Sequence, residues 1–173
     1  MSKQHQLIRF LCIVGVLCGA WFISYEFFIK PHGWVDSQIT HWVTVGVNLM
    51  LNITGYDSHY VVSPIPGNAY LYIAPYVKPV VRVGASCNGL ELFALFMCFM
   101  IAYPGKISHK LLFISIGLII IHIANLFRTY WLVLLAYYRS PYYELFHRYV
   151  LIFFIYGLVF GLWMLWANKY SKR

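Results

Sequence analysis

Cys87 stands where a polar, strand-like stretch, Val80 to Val83 followed by Gly-Ala-Ser, runs into the apolar segment Asn88 to Tyr103. A helix starting there offers unpaired backbone N–H groups and partial positive charge, which favour the thiolate over the thiol. The N–H of Asn88 or Gly89 would then stabilise an oxyanion once the sulfur attacks a carbonyl. Arg128 lies about 18 residues beyond Lys110, roughly 27 Å at 1.5 Å per residue, and so near the far end of its own apolar segment. Asn125, one turn earlier, shares its helix face. His147 opens the last apolar segment after a connection of about nine residues, which fits a tight re-entry at the same surface, and imidazole titrates near neutral pH. A nucleophile, a cation for an anion or carbonyl, and a proton carrier form a set suited to acyl transfer. Glu91 complicates it. A carboxylate one turn past Cys87 is costly in a membrane unless paired, so Arg128 is its expected counter-ion. Its proximity also raises the thiol pKa, which Arg128 or His147 would have to offset.

The elements that must position these groups are membrane helices. The chain of 173 residues is 61% hydrophobic, 20% aromatic and 10% charged, with mean hydropathy +0.68, a balance foreign to a soluble domain. Four segments approach the length of about 20 apolar residues that crosses a bilayer: about Leu7 to Ile29, Asn88 to Tyr103, Lys110 to Tyr137 and His147 to Ala167. The second is long enough only if its helix starts near Ser86. The first ends in Phe27-Phe28-Ile29-Lys30-Pro31 without a small-residue cleavage site, and reads as a retained anchor rather than a signal peptide. The basic residues orient the chain. Lys3 and Arg9, the Pro104-Gly105-Lys106 loop with His109 and Lys110, and Lys169, Lys172 and Arg173 mark the cytoplasmic side. Opposite them, Lys30, Lys78, Arg82 and Arg139 are diluted by Asp36, Asp57 and Glu144. The expectation is an all-α integral membrane protein with four transmembrane helices, both termini cytoplasmic, and a small extracytoplasmic insert. Residues 1–29 form the anchor, 30–86 the insert and 87–173 a three-helix core with a basic tail. It would be a multi-pass protein of the cytoplasmic (inner) membrane, with its candidate site on the extracytoplasmic face. A net charge of +8 spread over helix ends suits anionic lipid headgroups, not nucleic acid.

Within the insert, Ile39, Trp42, Val43, Val47, Met50 and Leu51 recur at helical spacing opposite Gln38, Thr40, Thr44 and Asn48, predicting an amphipathic helix from Asp36 to Ile53. Asn52 to Ser58 stops it. Three β-branched and aromatic runs follow, His59 to Ser63, Ala69 to Ile73 and Val80 to Val83. Pro64 to Asn68 and Pro75 to Pro79 separate them, which predicts a hairpin and a third short strand leading to Cys87.

Cys12 and Cys18 in the first helix and Cys98 in the second read as packing residues. No C-x-x-C and no second cysteine near Cys87 support a disulfide relay. His122 is expected to be a hydrogen-bonded packing residue, and His5, His32, His41, His59 and His109 surface groups.

The run Cys87-Asn88-Gly89-Leu90, then Asn125-Leu126-Phe127-Arg128, then His147, in that order and on one membrane side, resembles the three signature blocks of the exosortase/archaeosortase family. The resemblance covers about Arg82 to Trp166. It implies a membrane cysteine transpeptidase or protease. Its partners would be exported proteins carrying a C-terminal sorting motif, a hydrophobic helix and a basic tail. Cys87 would form a thioester, Arg128 would hold the motif or the oxyanion, His147 would carry the proton, and an acceptor nucleophile of unknown kind would resolve the intermediate. Asn125 would orient Arg128 or the substrate, with Asn88 and Gly89 beside the nucleophile. No metal or cofactor is required. The larger members carry additional N-terminal helices, so this chain resembles a compact form. Arg82 and Arg148 are candidate contacts to an acidic residue in the motif. Two other classes fit the same residues: a non-catalytic membrane assembly factor, in which the polar trio locks helices together, and a thiol-disulfide oxidoreductase.

Overall fold

The computed structural model describes residues 3–170. Lys172 and Arg173, assigned above to the cytoplasmic side, lie outside the described residues. Helix α1 (Lys3–Ser24) continues through a π-helical stretch, Tyr25–Ile29, into the short α2 (Lys30–His32). Gly33, with φ 66°, turns the chain into α3 (Trp34–Ile53). Strands β1 (Ser58–Val62), β2 (Ala69–Ile73) and β3 (Val81–Val83) follow. A 3-10 turn, Ala85–Cys87, leads into α4 (Leu90–Ala102), and α5 (Ile107–Tyr137) comes next. A short α6 (Tyr143–Leu145) and a second π-helical stretch, Phe146–Val150, open the last helix, α7 (Leu151–Leu165).

Three helices are long and apolar enough to cross a membrane: Leu7–His32, Ile107–Tyr137 and Tyr143–Lys169. Helix α4, with 13 residues, covers only about 20 Å. The helix expected from Ser86 is interrupted, because the 3-10 turn and Gly89, at φ 87°, break the spiral before Leu90. The turn that carries Cys87 precedes α4 at this end. Val16 of α1 and Phe27 of the π-helical stretch that follows are 71% and 70% exposed, as suits a helix that faces lipid.

Two apolar clusters meet along α5. One joins Phe96 and Met100 of α4, Ile121 of α5, and Ile155 and Val159 of α7. The other joins Val43, Val47 and Leu51 of α3, Leu71 and Ile73 of β2, Val83 of β3, and Val133 of α5. The insert therefore shares its core with the bundle. The three strands form one antiparallel sheet in the order β1-β2-β3, with Tyr60 opposite Leu71 and Ala69 opposite Val83. Tyrosines fasten the insert to α5: Tyr130 Oη donates to Thr54 Oγ1 (3.0 Å) and Tyr137 Oη to the Ala74 carbonyl (3.4 Å). Tyr56 and Tyr138 share a hydrogen bond of 2.8 Å, which pushes the Tyr56 phenol up to about 12.

The face of α3 that turns inward differs from the amphipathic expectation. Thr40 and Thr44, assigned to the polar side, are buried, and Trp42 is exposed. Hydrogen bonds make this possible, from Thr40 Oγ1 to the Gly67 carbonyl (3.2 Å) and from Thr44 Oγ1 to the Thr40 carbonyl (2.7 Å). His122 packs beside Phe93 and makes no hydrogen bond among the described residues, contrary to expectation.

Helices α4 and α5 approach closely at Gly117, where an added Cβ would overlap the Phe96 ring. Gly117→Leu is therefore expected to cost about 1–3 kcal/mol through overpacking. Thermal unfolding of the protein in lipid nanodiscs should show a melting temperature lower by about 4 °C or more; an unchanged value would mean that this contact contributes little.

Candidate active site

The candidate residues gather at the insert end of the bundle, at the seam between the two clusters on α5. Cys87 closes the 3-10 turn, its N–H donating to the Gly84 carbonyl (2.8 Å). Asn125, fully buried, donates from Nδ2 to the Cys87 carbonyl (3.0 Å). Its Oδ1 accepts from Arg128 Nη1 at 3.5 Å. A single amide thus ties the thiol-bearing turn to the guanidinium. Thr129 Oγ1 donates to the Asn125 carbonyl (3.0 Å).

Gly89 makes this approach possible. Its φ of 87° disfavours any side chain, and an added Cβ would lie 3.2 Å from Asn125 Nδ2. Asn88 is fully buried and serves the turn from both ends of its amide. Oδ1 accepts from the Leu90 N–H (2.9 Å), capping the first turn of α4, and Nδ2 donates to Asp36 Oδ1 (2.9 Å). The Asn88 N–H is engaged with the Ala85 carbonyl (3.3 Å). Of the two candidate oxyanion donors, the Gly89 N–H is the one without a hydrogen bond among the described residues.

A cavity of about 200 Å³ lies against this turn, lined by Ala85, Ser86 and Gly89 on one side, Glu91 and Arg128 on others, and Ile152, Ile155 and Tyr156 of α7. Arg128 is only 9% exposed, and its buried Nε has no hydrogen-bond partner among the described residues. A buried guanidinium donor left unsatisfied is costly. Arg128 as a residue still borders the cavity, where a guanidinium can meet an acceptor such as a carbonyl or carboxylate oxygen.

The expected Glu91–Arg128 ion pair is not formed; the two ion pairs among the described residues are Lys30–Glu26 and Arg148–Glu144. Arg128 turns toward Asn125 on its own helix, whereas Glu91 is exposed on the side facing α1, within electrostatic reach of Tyr25. Both still border the cavity. His147 is half-buried in the π-helical stretch before α7. It stacks on Tyr143, with ring centroids 5.6 Å apart and planes at 19°. Tyr143 is in turn within electrostatic reach of the Cys87 thiol. The backbone carbonyl of Cys87 is thus linked to Arg128 through Asn125, whereas His147 is held by Tyr143, and neither His147 nor Cys87 is among the residues that line the cavity. Arg82 is exposed on β3, and Arg148 is engaged by Glu144 at 2.8 Å; neither borders this cavity.

Three residues of this site escaped the sequence reading: Tyr25, Asp36 and Tyr143. Only Tyr143 carried a local signal, lying one helical turn before His147. Among the described residues no group of three or more His, Cys, Asp or Glu side chains is arranged to hold a metal ion.

A second, more apolar groove of about 390 Å³ adjoins the cavity and shares Glu91 and Tyr156 with it. Its walls are α1, through Trp21, Phe22 and Tyr25, and α7, through Tyr156; Leu95 and Cys98 of α4 form its floor.

The model of the family described as transmembrane exosortase matches residues 4–168, nearly the whole chain. No curated protein and no solved structure matches it.

Gly89→Ala is expected to destabilise the fold by about 1–3 kcal/mol, through strain at a left-handed backbone position and crowding of Asn125. Gly15→Ala, where an added Cβ meets nothing within 4 Å, should stay within about 0.5 kcal/mol. Equilibrium unfolding in mixed micelles compares the two; equal effects would remove the special status of Gly89.

Proposed function

Because the chain belongs to the transmembrane exosortase family, we propose that it is a membrane-embedded cysteine transpeptidase that cuts a C-terminal sorting signal from exported proteins. The observation that carries this reading is that Arg128 and the residues on either side of the Cys87–Asn88 pair, Ser86 and Gly89, line one cavity, to which Cys87 itself is adjacent along the chain. In this reading α4 completes a fourth crossing together with the Cys87 turn. Both termini are cytoplasmic, and the insert and site face the extracytoplasmic side of the inner membrane.

The Cys87 thiolate attacks the carbonyl carbon at the sorting motif, forming a C–S bond and placing negative charge on the carbonyl oxygen. The Gly89 N–H and the Arg128 guanidinium stabilise that oxygen. Collapse of the tetrahedral species breaks the C–N bond, and His147 gives a proton to the leaving amine. The thioester is then attacked by the acceptor, whose proton His147 takes, and Cys87 departs as thiolate. Asn125 sets the distance between the turn and Arg128. Tyr143 holds the imidazole plane, and no metal or cofactor enters any step. The apolar groove between α1 and α7 gives the hydrophobic helix of the substrate a path from lipid to the cavity, with Glu91 and Tyr156 at the threshold. Arg82 is available at the surface for an acidic residue of the motif, whereas Arg148 would first exchange Glu144 for it.

The oxidoreductase reading lacks a partner thiol: Cys12, Cys18 and Cys98 are all free, and Cys18 and Cys98 face one another between α1 and α4, away from Cys87. A pure assembly role leaves the orphaned Arg128 donor without purpose.

Processing in native-host membranes should cease with Cys87→Ala and with Cys87→Ser, and fall about 10²–10³-fold with Arg128→Gln, the scale of losing one oxyanion donor. With His147→Ala slowing resolution, mass spectrometry of Cys87 should find it acylated by the upstream part of an exported polypeptide. Normal processing by Cys87→Ala, or no adduct under any of these conditions, would overturn the proposal.

A further inference from the structure

The carboxylate of Asp36 is the least expected polar group in the protein. It lies in the first turn of α3, only 3% exposed, far along the chain from every signature residue. No cation pairs with it among the described residues. A buried carboxylate without a counter-ion persists only when hydrogen bonds hold it, and two neutral donors do so. Tyr25 Oη donates to Oδ2 (3.2 Å), and Asn88 Nδ2 donates to Oδ1 (2.9 Å). The site is built to admit it: at Gly67, with φ 72°, an added Cβ would lie 3.1 Å from the Asp36 Cβ.

The consequence concerns the Asn88 amide. An amide can present either end, and its neighbours decide which. Asp36 Oδ1 accepts from this amide at 2.9 Å, so the NH₂ group faces α3 and Oδ1 is left for the Leu90 N–H. Thr40 Oγ1, 3.5 Å from the same Nδ2, spends its proton on the Gly67 carbonyl, so it also accepts and supports the same end over a longer distance. Asp36 therefore selects the one orientation of Asn88 that caps α4, and this in turn fixes the 3-10 turn on which Cys87 sits.

We propose that Asp36 is a positioning residue for Cys87, acting through Asn88. The proposal rests on the reading of Cys87 as a reactive nucleophile, but its geometry does not involve the substrate. It also makes the insert part of the catalytic machinery.

The variants make the idea testable. Without a positioning role for this carboxyl group, Asp36→Ala would leave Cys87 alkylation unchanged. Loss of placement at the helix mouth would slow it.

The experiment uses the full chain in lipid nanodiscs, with Cys12, Cys18 and Cys98 replaced by alanine, and follows modification of Cys87 by iodoacetamide across pH. Asp36→Ala and Asn88→Ala should each slow the reaction about tenfold, as expected for loss of a charge-assisted buried hydrogen bond. The double variant should be little slower than either single one. Asp36→Asn, whose oxygen can still accept from Asn88, should stay within about threefold of the parent chain, and Tyr25→Phe should fall between. Should Asp36→Ala fail to fold, the comparison of Asp36→Asn with Tyr25→Phe and Asn88→Ala still decides. Alkylation unchanged or faster in Asp36→Ala, additive losses in the double variant, or no slowing in both Asn88→Ala and Tyr25→Phe would overturn the proposal. An unreactive Cys87 in the parent chain would instead defeat the enzyme reading itself, and this inference with it.

Discussion

A protein interior offers no water to a polar group, so every buried donor and acceptor at the insert end of the bundle must be matched within the protein. The fully buried amides of Asn88 and Asn125 carry most of that obligation. One binds the turn to the insert and caps α4; the other binds the same turn to α5 and to Arg128. Remove the two amides and the Cys87 segment has no polar tether on either side. The shortness of α4 follows from the same constraint, because a regular helix continued back through Gly89 would leave neither Asn88 to cap it nor the Cys87 carbonyl free for Asn125.

The insert is, in this light, structural support for the Cys87 turn rather than decoration on a bundle. Its helix α3 presents an inward face that begins polar, with Asp36, Thr40 and Thr44, and ends apolar, with Val43, Val47 and Leu51. The apolar end anchors on Val133 of α5, and the polar end reaches Asn88. The sheet closes the arrangement by supplying Leu71, Ile73 and Val83 to the same cluster and by leading the chain from β3 straight into the Cys87 turn.

Local pattern made much of this legible. Apolar runs marked the long helices, helical spacing marked α3, and proline-rich punctuation marked three strands whose limits agree to within a residue or so of those found. The family-like blocks Cys87 to Leu90, Asn125 to Arg128 and His147 pointed to the site and to the family that the chain proves to match. What stayed hidden depends on pairing at a distance. Asp36 and Asn88 are 52 positions apart, and nothing in the neighbourhood of either announces the other. Thr40 and Thr44 misled because a threonine that hydrogen-bonds a backbone carbonyl can be buried as readily as a valine. Glu91 misled because opposite charges on neighbouring helices suggest a pair, whereas Arg128 is satisfied in part along its own helix.

Tyr25 connects the two halves of the proposed mechanism. Its ring stands in the wall of the groove between α1 and α7, while its hydroxyl is one of two donors to Asp36. From that wall a chain of hydrogen bonds runs through Asp36 and Asn88 to the first N–H of α4. A polypeptide helix entering the groove and displacing Tyr25 would take a donor from a buried carboxylate, making the remaining bond from Asn88 more necessary. A helix that packs against Tyr25 in place would leave the network intact and hold α1 against it. Either way, occupation of the groove and placement of Cys87 share a term in the free energy, so that each affects the other reciprocally. The polar contacts that stabilise the turn thus lie on the path by which the substrate would arrive. This gives a physical reason for a carboxyl group to be kept buried there when an apolar residue would pack at lower cost.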